Sequence, residues 1–302
     1  MQKPKVSVVI PSFNMAHLIR DTITSCLQQH YKNIEIIVWD DCSTDNTQEI
    51  MNDIAGVKYY RAEKNAGVGA SFNSGIEKAT GEYIMLLCSD DLIRDKNYIS
   101  DAVTVFENHQ DIGHVTRFYF QFIDDGTVAP CRAWRGNNPI ILSNNPSGLF
   151  YRRSALEGCK CSNKMMIETS YLTSQVVKKG WKAAILTYDA IAARVHASTS
   201  TQPGYWLKRR VSSPVMDWWE IGGKEIAEDY VSFIQIRNGF KMSAVFEEIR
   251  NFIKLRPINL LIPEFWFWSL VAVLTPRWLL IRLPGFYRKH LGRRITKEIK
   301  RI

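Results

Sequence analysis

The chain has 302 residues, 46% of them apolar, which suits one large domain or one of ordinary size with an appendage. Its net charge of +9 is concentrated at one end: Arg277 to Ile302 holds nine Lys/Arg and one acid, Glu298, leaving only +1 for residues 1–276. That argues against a nucleic-acid-binding body, which needs its own basic face, and directs attention to an anionic surface met by the tail. The six cysteines form no CxxC pair. The nearest approach, Cys159-Lys-Cys161, lacks a second pair at zinc spacing, so reduced, mostly buried thiols are expected. The start, MQKPKVSVVIPSFN, has no long apolar segment or small-residue cleavage site, and a cytosolic chain is expected.

In chain order, Val6–Ile10 reads as a strand and 16–29 as a helix with Leu18, Ile19, Ile23, Cys26 and Leu27 on one face. Ile34–Trp39 is a strand ending in Asp40-Asp41, and Ser43-Thr-Asp-Asn-Thr-Gln-Glu-Ile is a capped helix start. Val57–Tyr60 is a strand and 68–79 a helix. Tyr83–Leu87 is a strand apolar on both faces that ends in Ser89-Asp90-Asp91. This alternation predicts βαβ units around a mainly parallel sheet, in which the paired acids of two neighbouring strands lie on the ligand edge. The alternative for the second pair is a solvated turn capping the next helix.

Past residue 100 the pattern changes. Phe118–Ile123, Asp124-Asp125-Gly126 and Thr127-Val128 read as a hairpin whose Asp-Gly turn explains its acids without chemistry. A helix is predicted over 168–179, a strand over Trp181–Leu186 and a polar loop over 196–204. From 214 onward the pattern turns helical, with Met242, Val245, Phe246, Ile249, Phe252 and Ile253 at helical spacing. The domain division expected is 1–213 for a catalytic α/β domain and 214–302 for a helical, basic region.

A carboxylate at the first strand end can accept from a nucleobase N–H or a ribose hydroxyl, and the second pair can hold a divalent cation beside a diphosphate. Asn65-Ala-Gly67-Val-Gly69-Ala-Ser71-Phe-Asn73 opens a helix, but Phe72 breaks a GxGxxG reading and the segment follows the third strand, so a dinucleotide fingerprint is not expected.

VSVVIPSFN at 6–14, EIIVWDDCSTDNT at 35–47, NAGVGASFNSGIEKATGEYIMLLCSDD at 65–91 and RVHASTS at 194–200 together resemble glycosyltransferase family 2, the inverting enzymes of the A-type glycosyltransferase fold. The resemblance covers about the first two hundred residues. It implies a Rossmann-like, mixed and mainly parallel sheet, a nucleoside-diphosphate-sugar donor with UDP favoured, and a divalent cation, Mn²⁺ or Mg²⁺. It places Pro11, Phe13, Asp40, Asp41, Gly67, Asn73 and Asp90 at the donor, with Asp41 facing the base and Asp40 supporting it. Asp90, Asp91 and His196 fall at the cation, and Ser147 and Gly148 in the acceptor-side loop, for which a Pro/Gly turn is the structural alternative. Phe13 stands where the family often has Tyr. Cys88 replaces the usual leading Asp of the acid motif. Thr169 falls where the family's catalytic Asp is expected, which leaves Glu168 as the candidate base or, alternatively, an inactive site.

Residues 258–286 are the most apolar of the chain, yet the longest charge-free run between Glu264 and Arg277 is twelve residues, short of the roughly twenty a span needs. Followed by the basic tail, the segment suits interfacial helices on an anionic cytoplasmic leaflet. The alternative is packing on the catalytic domain or in a homodimer. With the resemblance, this points to a lipid-linked saccharide acceptor of a surface polysaccharide pathway, whose diphosphate Lys208-Arg209-Arg210 could meet. The rival from another class is an inactive nucleotide-sugar-binding or scaffold protein at the membrane. A sugar nucleotidyltransferase is disfavoured, because Pro-Ser-Phe-Asn stands where its Gly-rich loop belongs.

Overall fold

The structure, a computed structural model, describes residues 3–122, 140, 143, 145–162 and 168–194. Eight strands form one sheet: β1 (Val6–Ser12), β2 (Ile34–Asp40), β3 (Val57–Arg61), β4 (Tyr83–Leu86), β5 (Leu92–Ile93), β6 (Ile112–Phe122), β7 (Leu149–Arg152) and β8 (Lys182–Arg194). The helices are α1 (Ala16–Leu27), α2 (Thr47–Asn52), α3 (Val68–Lys78), α4 (Tyr98–Asn108) and α5 (Glu168–Lys178). The strand order is β3-β2-β1-β4-β7-β6-β8-β5. The first four strands of that order are mutually parallel, β7 runs against β4 and β6, β8 is parallel to β6, and β5 is antiparallel to β8. The expected mixed, mainly parallel sheet is thus present.

The apolar runs are continuous because both faces of the sheet are covered. Val6, Val8 and Ile10 of β1 with Tyr83, Met85 and Leu87 face α1, α2 and α4, contributing to a core with Ile19, Ile23, Met51, Ile99 and Phe106. The alternate residues Val9, Ile84 and Leu86 join Phe72 of α3 and Leu172 and Val176 of α5 in a second core. α3 lies so close to β1 that a Cβ on Gly75 would stand 2.4 Å from Val9 Cγ1.

Chain direction places the ends of β1, β2, β4 and β8 on one edge. β1 lies between β2 and β4, so the two acid pairs end next-but-one strands, not neighbouring ones, with the end of β1 between them. The chain leaves β1 toward β2 and β3 on one side and reaches β4 on the other, the kind of switch point where open sheets bind ligands.

The strand expected over Trp181–Leu186 continues to Arg194, held by β6 through register shifts at Arg117/Phe118 and Phe118/Tyr119. The strand expected from Phe118 begins at Ile112. Its Asp124-Asp125-Gly126 turn, His196 and the 196–204 loop, Lys208-Arg209-Arg210 and the region 214–302 lie outside the described residues. Among the described residues no helix is long and apolar enough to cross a membrane.

Candidate active site

The turn after β4 is gripped by α1 and β8. Thr22 of α1 donates to the Ser89 carbonyl (2.9 Å), Arg194 Nε to the Asp90 carbonyl (3.1 Å), and Ile93 N to Ser25 Oγ (3.1 Å). Arg194 also reaches Asp21 on α1 (3.4 Å). Within this frame Asp91 is only 4% exposed. One of its oxygens accepts Arg194 N (2.8 Å) and the other the Ser147 hydroxyl. A solvated helix-capping turn is therefore not what this sequence makes: Leu92-Ile93 continues as β5 against β8. Burial raises the Asp91 carboxyl to about 8, the charge of half-buried Asp90 adds to the shift, and Ser147, Arg194 N and Arg117 oppose it.

Cys88 Sγ and one carboxylate oxygen each from Asp90 and Asp91 lie within 4.8 Å of one another. This donor set fits a divalent cation: two carboxyl oxygens and a sulfur converge at the carboxyl end of a central strand.

Ser147 is fully buried. Its Oγ accepts Cys88 N (3.0 Å) while donating to Asp91. Its own N–H and Arg117 Nη2 both donate to Asn145 Oδ1 (2.9 and 2.8 Å). Gly148, at φ +82°, donates its N–H to the Leu86 carbonyl (2.6 Å) and accepts the Tyr98 hydroxyl. A Cβ there would stand 2.6 Å from Ile191 Cγ1. In the loop expected on the acceptor side or as a Pro/Gly turn, Ser147 thus braces the acid turn and Gly148 the end of β4.

At the end of β2, Asp40 is fully buried. It accepts Ser43 N (2.9 Å), the Ser43 hydroxyl (2.5 Å) and the Tyr59 hydroxyl (2.6 Å). It holds the turn that carries Asp41. Asp41 in turn accepts Ala66 N (2.9 Å) and Gly67 N (2.8 Å), one on each oxygen, fixing the entry to α3 where Gly67 has φ +90°. Each of its oxygens retains acceptor capacity. The turns after β1 and β2 are tied together, with Asn14 N donating to Ser43 Oγ (2.9 Å) and Thr44 N to Asn14 Oδ1 (2.7 Å). Asn14 (φ 55°) and Cys42 (φ 65°) are both left-handed, uncommon for residues with a Cβ. Pro11 is buried within β1, and Phe13, just past the strand's end, is 39% exposed. Asn73 is tied to Cys161. Its amide donates to the Cys161 carbonyl (3.0 Å) and accepts Cys161 N (2.8 Å), binding α3 to the segment ahead of α5.

Glu168 opens α5. Its charge is felt at the Cys88 thiol, which burial foremost and then Asp90 and Asp91 push well above its ordinary range. Thr169, one position on, is 1% exposed and donates to the Ser143 carbonyl (2.6 Å). Ser143 Oγ in turn bonds Nε2 of His114 (3.0 Å), a ring that burial lowers to about 3 and keeps neutral, with Nδ1 at the Phe150 carbonyl. The first turn of α5 is thus anchored to β6 and β7 through Thr169, and Glu168 is the acidic residue of that turn.

The sequence profile of glycosyl transferase family 2 matches residues 7–167. The chain belongs to glycosyltransferase family 2. An uncharacterized glycosyltransferase of Haemophilus influenzae is 38% identical over 118 residues, 38% of this chain and 47% of that protein. The putative teichuronic acid biosynthesis glycosyltransferase TuaG of Bacillus subtilis is 39% identical over 93 residues, 30% of this chain and 37% of TuaG. The match therefore spans less than half of either relative. S. aureus TarS 1–349 in complex with UDP-GlcNAc superposes with a TM-score of 0.62 at 20% identity, covering 83% of this chain and 79% of that one; the likeness is one of fold, and confirms the A-type architecture expected of the family.

Proposed function

We propose that this family 2 member is an inverting glycosyltransferase that moves a sugar from a nucleoside-diphosphate sugar, UDP-linked by preference, to a hydroxyl of a lipid-linked saccharide at the cytoplasmic face of the cell membrane. The observation that carries the reading is the braced acid turn, with Cys88, Asp90 and Asp91 converging at the edge where Phe13 follows β1 and Asp41 follows β2. The UDP-GlcNAc held by TarS supports the donor class, and the role in TuaG's name supports a surface polysaccharide acceptor.

Phe13 offers an exposed ring face on which a nucleobase can stack. Asp41, fixed by two backbone N–H groups, keeps lone pairs for a base N–H. Asp90 and Asp91 would hold the cation, with His196 as a further ligand, and the cation when bound supplies neutralisation of the departing diphosphate. Glu168 takes the proton of the acceptor hydroxyl as its oxygen attacks the anomeric carbon. The electron pair of the breaking C–O bond leaves with the diphosphate on the opposite face, which inverts the configuration. The apolar segment 258–286 and the basic tail dock the chain on an anionic leaflet beside its acceptor.

Proton NMR of the product made from each of a UDP-, GDP- and dTDP-sugar, with a lipid-linked saccharide extract as acceptor, tests this. One donor class giving product of opposite anomeric configuration is expected; retained configuration, or no transfer from any donor by folded protein, would overturn it. Pelleting with anionic vesicles tests the docking, and protein that stays in the supernatant at low salt contradicts it.

A further inference from the structure

Cys88 is the one residue of the acid turn that departs from an all-oxygen donor set, and its sulfur converges with the two carboxylates. A cation at roughly 2.0–2.5 Å from each donor keeps its ligand atoms within about 5 Å of one another. The sulfur and the two oxygens, within 4.8 Å, meet that limit as they stand. The positions are fixed from outside the cluster. Cys88 N is bonded to Ser147 Oγ, Asp91 is held by Ser147 and Arg194, and the carbonyls of Ser89 and Asp90 are taken by Thr22 and Arg194. Little reorganisation stands between this arrangement and a three-ligand site.

The other described thiols are placed differently. Cys26 and Cys161 are core residues, Cys42 donates to the Glu63 carbonyl (3.5 Å), and Cys159 to the Ala155 carbonyl (3.6 Å). Among the described residues, Cys88 alone joins carboxylates in such a group.

We propose that Cys88 is a ligand of the cation at this turn and that its sulfur biases the site toward thiophilic divalent ions, Co²⁺ and Zn²⁺ ahead of Mn²⁺, and against Mg²⁺. The proposal rests on the acid turn being the cation site of the proposed transferase. The chemistry is that of ligand softness: Mg²⁺ demands hard oxygen donors in near-octahedral geometry, whereas a thiolate favours the later first-row ions and zinc. An aspartate at position 88 would give an all-oxygen set without that bias. Cys88 therefore determines which metal the site selects, while Asp90 and Asp91 determine that it binds one at all.

The test is a Co²⁺ titration of the full chain, followed by the near-ultraviolet sulfur-to-cobalt charge-transfer band, in the parent and in Cys88→Ser, Cys88→Asp and Cys42→Ser. Mn²⁺ affinity is measured in parallel by loss of the free-ion electron paramagnetic resonance signal, with Mg²⁺ and Zn²⁺ as competitors. The parent and Cys42→Ser should show a saturable band displaced by Zn²⁺, and Cys88→Ser should show none. Zn²⁺ should compete at least about 100-fold better than Mg²⁺ in the parent, a preference that narrows by about tenfold or more in Cys88→Asp. Equal Mn²⁺ and Co²⁺ affinity in the parent and Cys88→Ser, with no band in either, would overturn the role of Cys88 and leave the cation site standing. Folded parent protein that binds none of these ions would overturn both.

Discussion

At the amino edge of the sheet Glu35 is buried among donors; at the carboxyl edge Asp91 is buried beside another acid. Glu35 accepts the Ser7 hydroxyl, Thr80 N (2.6 Å), Thr80 Oγ1 (2.8 Å), Gly81 N (3.1 Å) and Lys58 Nζ (2.7 Å). Burial alone would raise its carboxyl, but Lys58, Ser7 and Thr80 more than offset that and bring it down to about 2. Asp91 has fewer donors and Asp90 as a neighbour, and burial with that like charge brings it up to about 8. The same functional group is satisfied at one edge and, more deeply buried, left wanting positive charge at the other. The first edge joins β1, β2, β3 and the α3–β4 turn; the second is where a cation and a diphosphate would supply what is missing.

The largest expected effect is at the carboxyl edge. Glu168→Gln should lower kcat by roughly 10²–10⁴ with little change in nucleotide affinity or melting temperature. Turnover within severalfold of the parent would remove Glu168 from the reaction. Next is Glu35→Gln, expected to cost about 2 kcal/mol in chemical denaturation by leaving donors at the amino edge imperfectly paired. Asp91→Asn, whose neutral amide stands in for a carboxyl that burial already disfavours in its charged form, should cost less than Glu35→Gln. The reverse order would break the contrast between the edges.

The pH dependence of stability, measured in chelator, sharpens the contrast further. Glu35, depressed when folded, contributes stability that is present above about pH 4.3 and is lost as pH falls toward about 2. Asp91, raised when folded, contributes in the opposite sense. Its share is fully present below about pH 3.9 and is lost as pH rises toward about 8. Glu35→Gln should flatten the acid limb and Asp91→Asn the limb between about pH 4 and 8, the latter also flattening when a bound divalent ion is restored. The smallest expected effect is Cys42→Gly, which relieves a left-handed φ of 65° and should stabilise the chain by about 0.5–1 kcal/mol; a loss of stability would mean the Cys42 thiol contact to Glu63 outweighs the strain.

Runs such as Val6–Ile10 and Tyr83–Leu87 were legible as strands because a sheet covered on both faces needs apolar residues at every position, and the acids ending two of them marked the ligand edge. Less of the rest was written locally. β7 is four residues long, and β8 continues through Ala190, Ala192 and Ala193, whose uniform small side chains carry no alternation. Asn73 and Ser147 read as ligand-facing from their motifs, yet their partners Cys161 and Asp91 lie 88 and 56 residues away in sequence. No local pattern encodes a contact of that range. Thr169 was visible as a departure from an expected Asp; that it is spent on the Ser143 carbonyl was not.

On the proposed function, the carboxyl edge binds a nucleotide sugar through a cation held at Asp90 and Asp91. Thermal unfolding with UDP-, GDP- and dTDP-sugars, each with and without Mn²⁺, in the parent and in Asp90→Asn, tests it most directly. A metal-dependent rise in melting temperature is expected for one nucleotide class, lost in Asp90→Asn although that variant alone melts no lower than the parent. The same rise in both proteins, or none in folded parent protein with any donor, would contradict it.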